Sequence, residues 1–251
     1  MGYLHEGHVS LVRRAKQENP FVAASIFVNP TQFGPSEDLA KYPRDLPRDL
    51  KLLEAAGCDL VFTPSPEEVY PVGFDTWVSV EKLATKLEGE VRPGHFRGVC
   101  TVVLKLFNQF RPERAYFGQK DAHQVAVIQR MAKDLDTDVQ IVVCPTVREP
   151  DGLAMSSRNV YLNLQERKAA TVLYRSLTLA RELHQKGERN GDTLRLRVRH
   201  MLEGEPLAKV QYVSVADAST LDELQLIKGP ALVSVAVFVG KTRLIDNIVL
   251  P

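Results

Sequence analysis

The chain has 251 residues, of which 44% are apolar, enough for one large domain or two smaller ones. Lys and Arg number 32 against 31 Asp and Glu. That balance argues against a general nucleic-acid or membrane binder, which carries a basic excess, and leaves room for a local basic pocket around a small anion.

In chain order, His5-Glu6-Gly7-His8 precedes a helix expected from Val9 to about Gln17. Two histidines three residues apart on a starting helix point the same way. The helix N-terminus offers N–H groups and a positive dipole end to phosphates, and an imidazole there can donate to a phosphoryl oxygen as charge builds on it. Gly2 and Gly7 allow close backbone approach to a nucleotide. Alone, the pattern equally describes two surface histidines near a terminus. The continuous apolar run Phe21 to Val28 predicts a strand buried on both faces. It leads into Asn29-Pro30-Thr31-Gln32-Phe33-Gly34 at its carboxyl end, where doubly wound sheets hold their ligands. Gln32 has both a donor and acceptors for a small polar substrate; a structural turn with a capping amide is the alternative.

Leu46 to Ala56 reads as a helix stopped by Gly57, and Asp59 to Thr63 as a second buried strand ended by Pro64 and Pro66. Arg92-Pro93-Gly94-His95-Phe96-Arg97 opens a helix expected over Gly98 to Phe110. Its arginines and histidine suit a carboxylate or phosphate, or else form a solvated turn. Tyr116-Phe117-Gly118 ends a short strand, and Gln119-Lys120-Asp121-Ala122-His123-Gln124 starts the helix Ala122 to Leu135. Lys120 suits a phosphate as a mobile point charge, Asp121 could orient it or a ribose, and Gln124 would face the same cleft one turn on. The plainer reading is a capping Asp beside an exposed Lys. Val139 to Val143 is a further strand. Strands separated by helices imply right-handed crossovers and a parallel, doubly wound α/β sheet.

After about Val147 the texture changes. The loop Arg148-Glu149-Pro150-Asp151-Gly152 leads to Met155-Ser156-Ser157-Arg158-Asn159, whose hydroxyls and guanidinium match a phosphate clamp or a hydroxyl-rich helix cap. Gly152 gives the loop freedom to close over a nucleotide. Gln165 to Lys186 reads as one long helix and Gly191 to Glu203 as another, followed by strands at Lys209 to Val215, Ala231 to Val239 and Thr242 to Val249. This predicts a smaller α+β unit with an antiparallel sheet, residues 147–251, after a first domain of residues 1–146.

Cys58, Cys100 and Cys144 are odd in number, widely spaced and without a C-x-x-C pair. Reduced thiols are expected, with no zinc site or disulfide framework. No apolar run reaches the roughly 18 residues of a membrane span, and the polar opening has no signal-peptide pattern. A cytoplasmic protein without nucleic-acid or membrane partners is the expectation.

Taken together, MG-x-LHEGH, FVNPTQFG, YPRDL, RPGHFRGV, FGQKD and VREPDGLAMSSRN, in this order and spacing, resemble the pantothenate synthetase (pantoate–β-alanine ligase) family from Met1 to about Pro251. The set is specific where no single motif suffices. The resemblance implies a nucleotidyl-transferase type of Rossmann-like domain binding ATP and pantoate, a C-terminal lid domain, and a homodimer formed through the Rossmann domain. It implies that pantoate and ATP give pantoyl-adenylate and pyrophosphate, with Mg²⁺ bridging phosphates, and that β-alanine then displaces AMP. His8 would be the proton donor and His5 its partner on the phosphates. Met1 to His8, Gly2 included, would form the first ATP loop. Gln32 and Gln124 would bind pantoate, with Gln32 also near β-alanine and His95 and Arg92 nearby as substrate-binding groups. Gly118 to Asp121 would hold the ribose and adenine side with Lys120 on phosphate, Val147 would pack by the adenine, and Met155, Ser156, Ser157 and Arg158 would close over the triphosphate. Asp49 would lie near Mg²⁺, and Tyr42 and Arg44 at the dimer or cleft edge.

Two departures accompany the resemblance. Family chains carry an apolar strand ending in Pro-Thr ahead of Met-Gly, so with Met1 as the first residue that strand is expected to be absent and neighbouring strand edges exposed. His123 stands where many members have Gln. Two other readings are a nucleotidyl transferase that makes no amide, and an inactive, truncated nucleotide-binding remnant. The paired glutamines count against the first, and the intact set His5, His8, Lys120, Ser156, Ser157 and Arg158 against the second.

Overall fold

Helix α1 (Glu6–Glu18) forms because Val9, Val12 and Ala15 recur at helical spacing and bury one face while the charged face stays in water. The structure is a computed structural model that describes residues 2–34 and 37–251. Met1, expected in the first ATP loop, lies outside the described residues. The chain divides into two units. One takes the residues up to Gly118 with His123–Pro145, and the other takes Gln119–Ala122 with Thr146–Pro251.

In the first unit, β1 (Ala23–Ser25) pairs in parallel with β2 (Leu60–Phe62), Ala24 opposite Val61. Likewise β3 (Arg114–Gly118) pairs in parallel with β4 (Gln140–Cys144), Tyr116 opposite Val142. Between them run α2 (Leu46–Ala55), the single turn α3 (Pro66–Val69), α4 (Leu87–Val91), α5 (His95–Phe110) and α6 (Ala122–Asp134). Leu4, Val9, Val12 and Ala15 pack with Val22, Ala24, Leu53 and Ala56 in one cluster, so α1 and α2 close over β1.

The first strand is shorter than the apolar run predicts, and it is not buried on both faces: Ala23 is exposed, and Phe21 is 62% exposed. Two causes are visible. Ile26 N–H still bonds Phe62 O at 2.9 Å, but Asn29 then caps a 3-10 turn over Pro30–Gln32, and proline has no N–H for a ladder. Each parallel sheet is also two strands wide among the described residues, so every strand is an edge.

The second unit contains α7 (Leu164–Ala169), α8 (Val172–Gln185), α9 (Gly191–Glu203) and the antiparallel sheet β5 (Ala208–Asp217), β6 (Ala231–Val239), β7 (Thr242–Leu250), with β6 central. Leu173, Leu177, Leu194, Val198 and Leu202 of the helices meet Val213, Val215, Val233, Val235 and Val237 of the sheet. Each fully buried leucine contributes about 1.5–3 kcal/mol. The single helix expected over Gln165 to Lys186 is two. The Thr171 hydroxyl donates to Lys168 O at 2.8 Å and its N–H bonds the same carbonyl at 3.3 Å, so the turn tightens there and α8 starts afresh. Among the described residues no helix is long and apolar enough to cross a membrane.

Candidate active site

His5 is the N-cap of α1 and His8 its third residue, their ring centroids 4.0 Å apart. His5 Nδ1 accepts Gly7 N–H at 3.1 Å, and His8 Nδ1 accepts His5 N–H at 3.3 Å. Main-chain N–H groups only donate, so both neutral rings carry their proton on Nε2. The local sequence therefore builds a helix N-terminus whose first turn bears two Nε2–H donors beside the dipole's positive end. Helix α1 begins at Glu6, three residues before the expected start, because the histidines themselves cap it.

Gln32 sits in the 3-10 turn after β1, tied to a buried polar hub. Asn29, 2% exposed, donates through Nδ2 to Gly98 O at 3.1 Å and to Gln32 Oε1 at 3.4 Å. Its Oδ1 accepts Thr31 N–H, the Thr31 hydroxyl at 2.9 Å and the Tyr70 hydroxyl at 2.9 Å. Gly98 O can only accept and Thr31 N–H can only donate, which sets the orientation of the Asn29 amide. That in turn directs the Gln32 oxygen at Asn29 and its NH₂ elsewhere. A Cβ on Gly98 would lie 2.7 Å from the Thr31 main chain, so only glycine lets α5 approach this turn.

Arg92 and His95 also meet at Gln32, on its main chain. His95 Nδ1 donates to Gln32 O at 2.8 Å, and Nε2 faces the Arg92 guanidinium at 3.2 Å. Burial first, then the Arg92 charge, push the His95 pKa down to about 4, so the ring is neutral. Arg92 is held by both Glu37 oxygens, at 2.8 and 2.6 Å. Burial alone would raise Glu37, but the Arg92 guanidinium outweighs it and keeps the carboxyl below its usual range. The arginine expected to face a substrate anion thus has an internal carboxylate partner. Gln124 lies in the first turn of α6, partly buried. His123 beside it is buried, donates through Nε2 to Leu83 O at 2.7 Å and lies tilted against the Phe96 ring, centroids 4.2 Å apart. Arg44 bonds the main-chain oxygens of Tyr42 and Leu39, and Tyr42 packs edge-on against Phe33.

Asp49, expected near a metal, instead accepts Tyr3 N–H and Leu4 N–H at 2.7 Å each and is 1% exposed. With both oxygens engaged by main-chain amides and the side chain withdrawn from solvent, Asp49 does not fit a cation. No group of three or more His, Cys, Asp or Glu that could hold a metal ion occurs among the described residues.

In the second unit, residues 147–155 form a tight hairpin in which Met155 N–H bonds Val147 O at 3.0 Å, and Arg148 bridges Ala154. Two residues expected around the nucleotide, Val147 and Met155, are thereby neighbours. Gly152 turns the hairpin at φ +92, where a Cβ would lie 2.1 Å from Tyr174 Cδ1. Ser156 caps the following 3-10 helix (Ser157–Tyr161) by accepting Arg158 N–H, and Ser157 is buried. Lys120 and Asp121 belong to the 3-10 turn Gln119–Asp121. Strand β7 organises both segments. Asp246 holds Arg148 through two bonds of 2.6 and 2.9 Å. Asn247 donates to Gln119 O at 3.0 Å and Lys120 O at 2.8 Å, and accepts the Gln119 side chain.

Asn29, Tyr70, Glu37, Asp246 and Asn247 escaped the sequence reading as site residues. Asp246-Asn247 had a usable signal, since two polar residues in the run Leu244 to Val249 must be satisfied if the strand is buried. Tyr70 and Glu37 had none, because their partners are 41 and 55 residues distant.

Parallel strands that lead into polar turns, a helix N-terminus armed with two imidazole donors and a hydroxyl-rich loop define an α/β enzyme of the kind that handles nucleotide phosphates. Residues 1–249 match the family model of pantoate–β-alanine ligase. The pantothenate synthetase of Roseiflexus sp. (strain RS-1) is 64% identical over all of this chain and 90% of its own length. That of Thermoanaerobacter sp. (strain X514) is 61% identical over 99% of this chain and 88% of its own. The crystal structure of pantothenate synthetase from Thermus thermophilus superposes with a TM-score of 0.96 at 51% identity, covering 99% of this chain and 90% of that one. A pantoate–β-alanine ligase from Francisella tularensis, complexed with β,γ ATP and β-alanine, gives a TM-score of 0.79 at 37% identity over 99% and 86% of the chains. The chain belongs to the pantoate–β-alanine ligase family. It is an ATP-dependent ligase that forms the amide bond between pantoate and β-alanine, and the readings as an amide-free transferase or a remnant are not favoured.

Proposed function

We propose that the ligation runs through a pantoyl-adenylate. A pantoate carboxylate oxygen attacks the α-phosphorus of ATP and pyrophosphate leaves. The amine of β-alanine then attacks the acyl carbon, loses a proton, and AMP leaves. Adenylation supplies the leaving group a carboxylate lacks, and the protein positions reactants and stabilises charge. The observation that carries this reading is the His5–His8 pair, whose Nε2–H donors stand at the α1 N-terminus. His8 acts as proton donor to the phosphoryl oxygens with His5 beside it. Gln32 presents its NH₂ to pantoate, with Gln124, and to β-alanine, while Arg92 and His95 hold the Gln32 main chain. Gly2, Gly118, Lys120, Asp121, Val147, Met155, Ser156, Ser157 and Arg158 bind ATP, residues 1–146 forming the ATP and pantoate domain and 147–251 the lid. Mg²⁺ enters as the ion carried by ATP. A homodimer in the cytoplasm completes the reading. The ATP and β-alanine named for the Francisella tularensis complex support both ligands.

The test is AMP release by the purified chain with Mg²⁺, ATP, pantoate and β-alanine, omitting each in turn. AMP is expected only when both acids are present, and His8→Ala should lower the rate at least a hundredfold. AMP formed without pantoate would overturn the assignment.

A further inference from the structure

We propose that Asp49, helped by Arg48, is a positioning residue for the phosphate-binding histidines, clamping the two residues that precede His5. The inference rests on the reading of His5 and His8 given above. Asp49 lies in the first turn of α2, one turn before the buried Leu53, so its side chain points inward. Its two oxygens take successive main-chain amides, Tyr3 N–H on Oδ2 and Leu4 N–H on Oδ1, both at 2.7 Å. Arg48 Nη1 donates to Leu4 O at 2.9 Å, and its guanidinium lies 5.2 Å over the Tyr3 ring. Three main-chain polar groups of Tyr3 and Leu4 are thus fastened to one turn of α2.

The clamp acts where the backbone needs it. Tyr3 has φ +49, a left-handed conformation that a side-chain-bearing residue holds only when its surroundings determine it. Leu4 next to it is fully buried, locking the following step. His5 then adopts the extended N-cap conformation, φ −131, from which its ring and that of His8 interlock with the first turn. Removing the carboxylate would leave two amides unpaired, one of them buried, and release Tyr3 toward ordinary φ, turning His5 off the helix end. A carboxylate spent this way serves ATP through the loop and not through a metal.

Amide hydrogen exchange and steady-state kinetics of wild type, Asp49→Asn and Arg48→Met test the clamp. In Asp49→Asn, which keeps one acceptor oxygen and turns an NH₂ toward the other amide, at least one of the Tyr3 and Leu4 amides should exchange at least tenfold faster. kcat/KM for ATP should fall at least tenfold, KM for β-alanine should stay within twofold, and the Mg²⁺ concentration for half-maximal rate should be unchanged. Unaltered exchange, or KM values for all three substrates rising together, would overturn the proposal, as would rescue by excess Mg²⁺, which would mark a metal ligand. If Asp49→Asn does not fold, Arg48→Met should show a smaller, ATP-specific loss of about threefold, and unchanged ATP kinetics there would equally sink the idea. A wild type that releases no AMP would count against the ligase reading alone, because the exchange arm still reads the clamp.

Discussion

At His95 a carbonyl on one ring nitrogen and a guanidinium near the other leave a single comfortable state, neutral with the proton on Nδ1. Its pKa of about 4 lies below the ordinary histidine value of 6.5. The unfolded chain therefore takes up a proton at a pH where the folded chain does not, and stability present above pH 6.5 is lost as pH falls toward 4. Going from pH 7 to pH 5 should cost about 2 kcal/mol through this residue. His123, also pushed down chiefly by burial, adds in the same direction. Urea denaturation at the two pH values should give His95→Asn an acid loss smaller than wild type by about that amount. Equal losses would mean that the ring already titrates normally. Nothing in Arg-Pro-Gly-His announces this. The motif suggested a substrate anion, and only the approach of Glu37 and Gln32 shows where the charge goes.

The elements show the same division of labour. Strand β7 was legible as a strand-like run over Thr242 to Val249, yet its middle, Asp246-Asn247, carries polar groups nearly without exposure. They are satisfied by Arg148 on one side and by the Gln119-Lys120 carbonyls on the other. Asn247→Leu removes both donors from those carbonyls and leaves the Gln119 amide unmatched. The loss should be about 1–3 kcal/mol of stability, with KM for ATP raised through the displaced Lys120 turn. Thermal denaturation and ATP kinetics on one preparation read both effects. A stable variant with normal ATP affinity would show that β7 merely borders the turn. The split between α7 and α8 belongs to this scale too: helical periodicity runs unbroken through Thr171, and the side-chain bond that interrupts it leaves no trace in a hydrophobic pattern.

On the scale of the molecule, each of the two units has its own apolar core, the first carrying α1 and the Gln32 turn, the second the Val147–Met155 hairpin and the Lys120 turn. A ligand that binds the native state alone stabilises it by about 2.7 kcal/mol at a hundredfold excess over Kd. Calorimetric melting with ATP at that excess should therefore raise the transition, and His5→Ala with His8→Ala should abolish the rise. A wild-type transition indifferent to ATP would contradict the nucleotide reading.

Strand-helix alternation, the change of texture near Val147 and the joint set of motifs were decided by the sequence itself, because hydrophobic periodicity and short-range capping are local properties of a chain. So was the choice of His5 and His8 as a candidate pair, since residues three apart at a helix start face the same way. What Asp49, Arg92, Glu37 and Asn247 do was decided only by tertiary structure. Each is a polar side chain whose partner lies tens of residues away, and charge alone cannot say whether it meets a ligand or a main-chain amide. Burial answers that question, since a polar group taken out of water must be paired within the fold.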